Sequence, residues 1–391
     1  MAIVSIFLII VALVAGMVGC GGGGGDSFAG GSGTEGDPYQ IANWNQLYNV
    51  RNYLDSYFIL VNDLDSTTAR YTERASSIAN GGKGWEPIGN SSVLFNVNFD
   101  GQGYEIRNLF INRPDLEDGV GLFSFLGGGV IENVGVVDAD VTGYGGVGIL
   151  AGGTYGNVSN CYSTGSVSAS GNGSVGGLMG GSGGNISDSY STASVSGGDN
   201  VGGLVALVFG GTVDKCYSTG SVTGNLRVGG LLGYSEDTVN SSYATGSVSG
   251  YGGVGGLVGV NWDTVSNSYS TGSVAGNFSV GGLVGVNVQY GTVSNSYATG
   301  SVTGNFSVGG LVGENGPYCT VTNSFWDTET SGQATSDGGT GKTTAEMQDI
   351  ITFSGAGWDI IAVDNSNDRN TGYVWNIVHT VTYPLLSWQP V

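Results

Sequence analysis

Through the middle of this chain, apolar residues come in runs too short for helices, separated by Asn, Asp, Gly and Thr. The stretch VGGLVGVNWDTVSNSYSTGSVAGNFS, beginning at Val254, holds three such runs, 256–260, 264–269 and 273–275, each closed by turn-forming residues. None has the 3.6-residue spacing or the Leu, Ala, Glu and Lys content of a helix, so all three read as short strands. Leu257, Val265 and Val274 mark their inward positions.

The unit then repeats. Val-Gly-Gly-Leu starts at Val175, Val201, Val228, Val254, Val280 and Val308, with gaps of 26, 27, 26, 26 and 28 residues, and looser copies start at Val120 and Val147. Self-similarity at this period marks a solenoid, whose units bury their apolar faces only against neighbours. The fold expected is all-β, a right-handed parallel β-helix of 26–28-residue coils with short capping helices at both ends. Leu257, Val265 and Val274, with Leu283, Val293 and Val302, then form apolar columns, each buried side chain contributing about 1.5–3 kcal/mol before ordering costs. The Gly-Gly before each Leu is expected to supply φ values closed to other residues. Asn160, Asn267, Asn295 and Asn323 share one register. There they are expected to turn the chain and form an amide ladder, so that Val265 and Ser268, of opposite strand parity, both face inward. Ser270 is expected on the surface.

A β-helix exposes strand edges at both ends, so caps are expected. Residues 37–119 read as an N-terminal cap and opening coils, with a helix capped by Asn43, running to Leu54 and placing Trp44, Leu47, Val50 and Leu54 on one face. Strands are expected at 57–61, 95–99 and 104–111, with a turn at 100–103. Residues 120–324 are the repeat array, and 325–391, rich in Trp, read as a C-terminal cap, with a ligand-binding aromatic site as the alternative. That cap holds a capping box at Thr343 and Glu346, a helix to about Ile351, and strand-like runs at 373–378 and 383–388.

The repeated Gly-Leu-x-Gly at 177–180, 230–233, 256–259, 282–285 and 310–313 resembles the GLUG motif of prokaryotic surface proteins, adhesins and accessory regions of IgA-specific peptidases. Tyr-Ser-Thr-Gly-Ser-Val or a near variant follows most copies, and Ala206 replaces the last Gly in one. The resemblance implies an extracellular β-helix and attaches no catalytic residue to the motif.

Ahead of all this, residues 3–18 are an apolar run too short for a comfortable membrane span, so residues 1–20 read as a secretory signal. Its end, Met17-Val18-Gly19-Cys20, resembles the lipobox of bacterial lipoproteins, which implies lipidation at Cys20. It departs from that pattern in Met17 and in lacking a Lys or Arg before the run; cleaved secretion and a retained anchor are the alternatives. Residues 21–36 read as a Gly-rich tether. The implied location is the extracellular face of the cell envelope, with the membrane reached through the lipid.

Composition narrows the function. The net charge is −21, and residues 145–324 carry two bases, Lys215 and Arg227, against seven carboxylates, so there is no basic stripe for nucleic acid. Cys161 and Cys216 share a register two coils apart, about 10 Å, beyond disulfide reach, and read as small buried fillers; Cys319 reads as unpaired. No Cys/His spacing suits a metal, and no cofactor motif survives: GGTGKTT at 338–344 lacks the earlier Gly of a phosphate loop. His379 is the single histidine, which excludes two-His zinc chemistry and leaves a hydrolytic triad without context.

Two readings remain. The expected function is that of a non-catalytic surface protein for adhesion or cell-envelope interaction, binding polysaccharide, matrix or another envelope component along a regular face, and the hydroxyl column Thr164, Thr192, Thr219, Thr245, Thr271 and Thr299 is its candidate; the same column raises ice as a ligand. A polysaccharide-degrading β-helix enzyme would need two carboxylates, for which Asp237 and Asp263, in Asp-Thr-Val turns on adjacent units, are candidates.

Overall fold

The computed structural model describes residues 27–53, 55–90, 96–116 and 118–391, with Val97 described by its backbone. The leader, Cys20 and Leu54 lie outside the described residues. Within the described part of the expected tether the Phe28 ring is stacked on Tyr39 at 4.3 Å between centroids, while most of residues 27–36 are exposed.

The array is a parallel β-solenoid. One coil contributes Gly252–Gly255 to a six-stranded sheet, Val258–Asn261 to an eight-stranded sheet and Thr264–Ser266 to an eleven-stranded sheet. Tyr269–Ser270 and Val274–Ala275 both enter a sixteen-stranded sheet. Each strand pairs in register with its copy one coil on, as Val254 with Val280, Val258 with Val284, Val265 with Val293, Tyr269 with Tyr297 and Val274 with Val302. The coil thus has five short strands where the sequence suggests three. One of the two extra strands comes from division of the 264–269 run at Asn267; the other, Gly252–Gly255, has glycine at three of its four positions and little β propensity of its own, and ladder pairing with its neighbours holds it extended.

The apolar columns are as expected, with Leu257, Leu283, Val265 and Val293 fully buried and Val274 and Val302 nearly so. Asn160, Asn267, Asn295 and Asn323 are left-handed at φ 49, 48, 46 and 48°. That kink resets strand parity, and both Val265 and Ser268 are buried. The serines of this register bind the stack together. The Ser242 amide donates to Ser268 Oγ, the Ser268 amide to Ser296 Oγ and the Ser296 amide to Ser324 Oγ, at 3.1–3.2 Å. Each of these hydroxyls in turn donates to the carbonyl two residues earlier, as Ser268 does to Ser266 at 2.6 Å. The Cys161 and Cys216 thiols take the same place, donating to Ser159 and Asp214 carbonyls at 3.2 and 3.3 Å. Both are buried and free, and Cys319 is free as well.

Three expectations need correcting. The Gly-Gly pairs have no positive φ; they are needed because backbone approaches too closely for a β-carbon, which at Gly256 would stand 2.0 Å from the Gly282 carbonyl oxygen of the next coil and at Gly255 2.0 Å from that of Val258 in its own coil. The amide ladder in the Asn160 register is broken: Asn160 donates to Asn133 at 2.8 Å, but Asn267 reaches Asn240, one residue out of register. A buried ladder runs elsewhere, from Asn261 to Asn287 to Asn315 at 2.8 and 2.9 Å. Ser270 is fully buried, because it follows Tyr269 at the inward position of its strand.

Both ends are closed. Asn43 caps the helix Trp44–Asn49 by accepting from the amides of Asn45 and Gln46 at 3.0 Å, and Trp44, Leu47 and Val50 are fully buried over the first coils. The expected strand at 104–111 divides into Glu105–Arg107 and Phe110–Asn112 at Asn108, whose φ is 62°. At the other end, Ser336 Oγ accepts from the Val312 amide at 2.8 Å and Asp337 from the Asn315 amide at 2.7 Å, which seals the end of the eight-stranded sheet. The capping box of Thr343 and Glu346 is formed, but its helix ends at Met347 and a second, Ile350–Ser354, starts from Asp349.

Candidate ligand faces

The hydroxyl column read from the sequence lies on the sixteen-stranded sheet, one coil per step, with the Thr219 amide bonded to the Ser191 carbonyl and that of Thr245 to Ser218 at 3.1 and 3.0 Å. Thr192, Thr219, Thr245 and Thr271 are exposed. The two ends of the column are taken up: Thr164 Oγ1 accepts from the Asp138 amide at 2.8 Å, and Thr299 is buried where Thr330 donates to its carbonyl at 2.7 Å. Two residues further along, Ser194, Ser221, Ser247, Ser273 and Ser301 form a second exposed column. Between the two columns lie Ala193, Gly220, Gly246, Gly272 and Gly300, all buried, where the chain passes from one short strand of the coil to the next.

A further hydroxyl column went unread in the sequence. On the eleven-stranded sheet, Thr212, Thr238, Thr264, Thr292 and Thr320 stand in register, exposed or half-buried, and Thr292 donates to Thr264 Oγ1 at 3.1 Å. The recurring Thr-Val pair is its signal in the sequence, the Val marking the core and the Thr the outer face. Upstream the column continues as Asn185, whose Oδ1 accepts from the Thr212 amide at 3.0 Å.

Between the open Thr column and the turns runs a tyrosine stack. Tyr162, Tyr190, Tyr217, Tyr243, Tyr269 and Tyr297 lie ring on ring at 4.6–5.0 Å with interplanar angles of 0–6°. Burial raises the phenols, Tyr217 to about 12 and Tyr269 and Tyr297 well above the ordinary value of 10.0.

The acidic pair is brought together on adjacent coils. Burial, then Asp263, then Glu236 raise the Asp237 carboxyl above its ordinary value. Asp263 accepts from Thr264 and Thr238 hydroxyls at 3.2 and 3.3 Å, which is turn chemistry. His379 stands 3.6 Å from Asp349 at the surface. In the 338–344 segment, Thr340–Lys342 is a strand paired with Phe325–Asp327 and Lys342 faces Glu346 at 3.4 Å, so no phosphate loop is built. Among the described residues no cluster of His, Cys, Asp and Glu suits a metal ion, and no helix is long and apolar enough to cross a membrane.

Comparison with known proteins agrees with the repeat. The family model described as the GLUG motif matches residues 197–223, 250–275 and 276–303. Similar proteins include a "Putative Gly-rich membrane protein" of Evansella cellulosilytica, 40% identical over 139 residues, and a "Halomucin" of Haloquadratum walsbyi, 39% identical over 147 residues. These alignments cover 34% and 36% of this chain but only 15% and 2% of the two relatives. A crystal structure described as a "putative immunoglobulin A1 protease" from Bacteroides ovatus superimposes with a TM-score of 0.51 at 22% identity, covering 93% of this chain and 96% of the other, a likeness of fold alone. Residues 197–223, 250–275 and 276–303 thus carry GLUG motifs, within a chain folded as a parallel β-solenoid.

Proposed function

We propose that this is a non-catalytic protein of the cell envelope that binds an extended ligand, such as a surface polysaccharide, along its solenoid. The observation that carries the reading is the pair of hydroxyl faces: Thr192 to Thr271 with their serine neighbours, and Thr212 to Thr320, repeat at the coil spacing over several coils. Weak contacts repeated at one interval add along a polymer that shares the interval, so affinity comes from number rather than from any one pocket. The relatives named as a membrane protein and a halomucin support an envelope setting. The acidity of the chain disfavours nucleic acid. Replacing Thr219 and Thr245 with Val preserves shape and β propensity while removing hydroxyls; weaker retardation in polysaccharide-containing gels is expected, and unchanged retardation counts against the reading.

Anchoring belongs to the same proposal. A lipid on Cys20 would hold the solenoid at the membrane, and Cys20→Ala should release it into the soluble fraction. Equal membrane retention of variant and parent would remove the lipid from the account.

The raised carboxyl of Asp237 beside Asp263 favours one other reading, a glycan hydrolase. New reducing ends formed by purified protein, and lost in Asp237→Asn, would establish it.

A further inference from the structure

The aromatic rings on this molecule fall into two kinds. In the tyrosine stack, and in the Phe278–Phe306 pair at 5.0 Å and 12°, neighbouring rings cover one another's faces. Tyr243, Tyr269 and Tyr297 are buried, Phe278 also meets Tyr251 edge-on at 5.4 Å and 68°, and Phe306, at the end of its pair, is 59% exposed. Beside the eight-stranded sheet the arrangement is different. Phe125, Tyr155 and Phe209 follow one another up the solenoid at 6.0 and 5.8 Å with angles of 61 and 72°, edge against face, a row of three rings with no face-to-face stacking among them, Phe125 half-buried and the other two exposed. Tyr155 is 50% and Phe209 40% exposed.

Glycines make the space for them. A β-carbon at Gly153 would stand 2.6 Å from the Phe125 ring, and one at Gly183 would stand 2.5 Å from Tyr155 and 3.2 Å from Phe209. Gly183 occupies the register of Tyr155 and Phe209 in the coil between them, following the paired Thr154, Ser182 and Val208. The rings therefore lean across the strands into places that side chains would otherwise fill. Two coils further on, Trp262 continues the same register and packs at 6.1 Å and 55° against Tyr234. With about 4.8 Å per coil, Phe125 and Trp262 are separated by roughly 24 Å along the axis.

From this geometry we infer that Phe125, Tyr155 and Phe209, extended by Trp262, form a stacking platform for the pyranose rings of a neutral polysaccharide. A sugar ring presents a face of C–H groups carrying partial positive charge, the complement of the negative π face of an aromatic ring. A line of such faces along the solenoid axis suits a chain of sugars and not a single small molecule. The charged groups in this register are acidic, Glu236 and its neighbour Asp237, against one base nearby, Arg227 over the Tyr234 ring at 5.8 Å, so the balance disfavours a polyanionic glycan. A second copy of this chain, also at −21, meets the same repulsion. The inference rests on the polysaccharide-binding reading above but uses a different face.

The test is affinity electrophoresis of the full chain in gels holding hydroxyethyl cellulose, glucomannan or xylan, with alginate as the anionic polymer. Retardation by at least one neutral polymer is expected, weakened about tenfold or more in Tyr155→Ala/Phe209→Ala and kept in Tyr155→Phe, with circular dichroism of every variant matching the parent. Parent-like retardation of the double variant, an equal loss in Phe306→Ala, or retardation by alginate alone overturns the platform. If the double variant binds like the parent while Thr219→Val/Thr245→Val loses binding, the platform fails and the hydroxyl-face reading stands. Absence of retardation by every polymer overturns both.

Discussion

The phenol of Tyr297 donates a 2.6 Å hydrogen bond to the carbonyl of Pro384, 87 residues further along the chain. One coil earlier, Tyr269 donates to Gln389 at 2.8 Å. Around these bonds Trp375 packs 5.8 Å from Tyr297, and Trp388 packs 5.8 Å from Tyr243. The C-terminal segment therefore does more than seal the last coil: it folds back along the side of the array and covers the tyrosine stack from Tyr243 to Phe325.

Trp375 is fully buried in that contact. Trp375→Ala should lower stability by about 3–5 kcal/mol through lost burial and a cavity, read as a reduced midpoint in denaturant unfolding. A midpoint equal to that of the parent would mean the segment is only draped on the array.

Leu257 and Asn267 show what the sequence makes legible. Leu257 recurs at the coil period and sits in the core, because a stacked column demands the same residue type in every unit. Asn267 recurs for a backbone reason, the left-handed turn at φ 48°. Thr192, Thr219, Thr245 and Thr271 were legible as a column for the same reason as Leu257. What closes over Thr299 was not, since contacts between the array and the segment after Ser324 follow no period. The row of Phe125, Tyr155 and Phe209 is not legible in the sequence, because the space for the rings depends on glycines in other coils, Gly153 and Gly183, and the rings themselves are not periodic.

The raised phenols set an alkaline limit. Folding disfavours their ionisation, so above the ordinary value of 10.0 the unfolded chain releases protons that the folded chain still holds. Stability should be full below about pH 10 and fall as pH climbs toward the Tyr217 value of about 12 and beyond. Tyr297→Phe should flatten that fall while costing about 1 kcal/mol at neutral pH for its lost hydrogen bond. Melting temperatures across pH 8–11 (roughly the span around the tyrosine range) that run parallel in variant and parent would count against burial of this phenol.

Burial holds the Cys161 thiol at about 12 and raises that of Cys216 as well. Neither should react with a thiol reagent at neutral pH in the folded protein, and both should react after unfolding without reductant. A peptide joining the two by a disulfide would contradict the coil register.

Leu257→Asp places a charge in a stacked apolar column and should destabilise the array by several kcal/mol. Ser273→Asp, on the exposed serine column of the same coil, should change stability by less than about 0.5 kcal/mol. Similar denaturation midpoints for the two variants would contradict the inward assignment of Leu257.

The central claim is that binding is distributed over coils. Deleting residues 228–279, two units that begin and end in register, should leave a folded solenoid whose affinity for a polymeric glycan is lower than the parent's, while purified full-length protein generates no new reducing ends or unsaturated sugars from it. The decisive measurement is polymer affinity against coil number, with product analysis on the same samples. A graded loss with no products is the predicted result. Affinity unchanged by the deletion, or products that appear with the full-length protein and vanish in Asp237→Asn or Asp263→Asn, would contradict it.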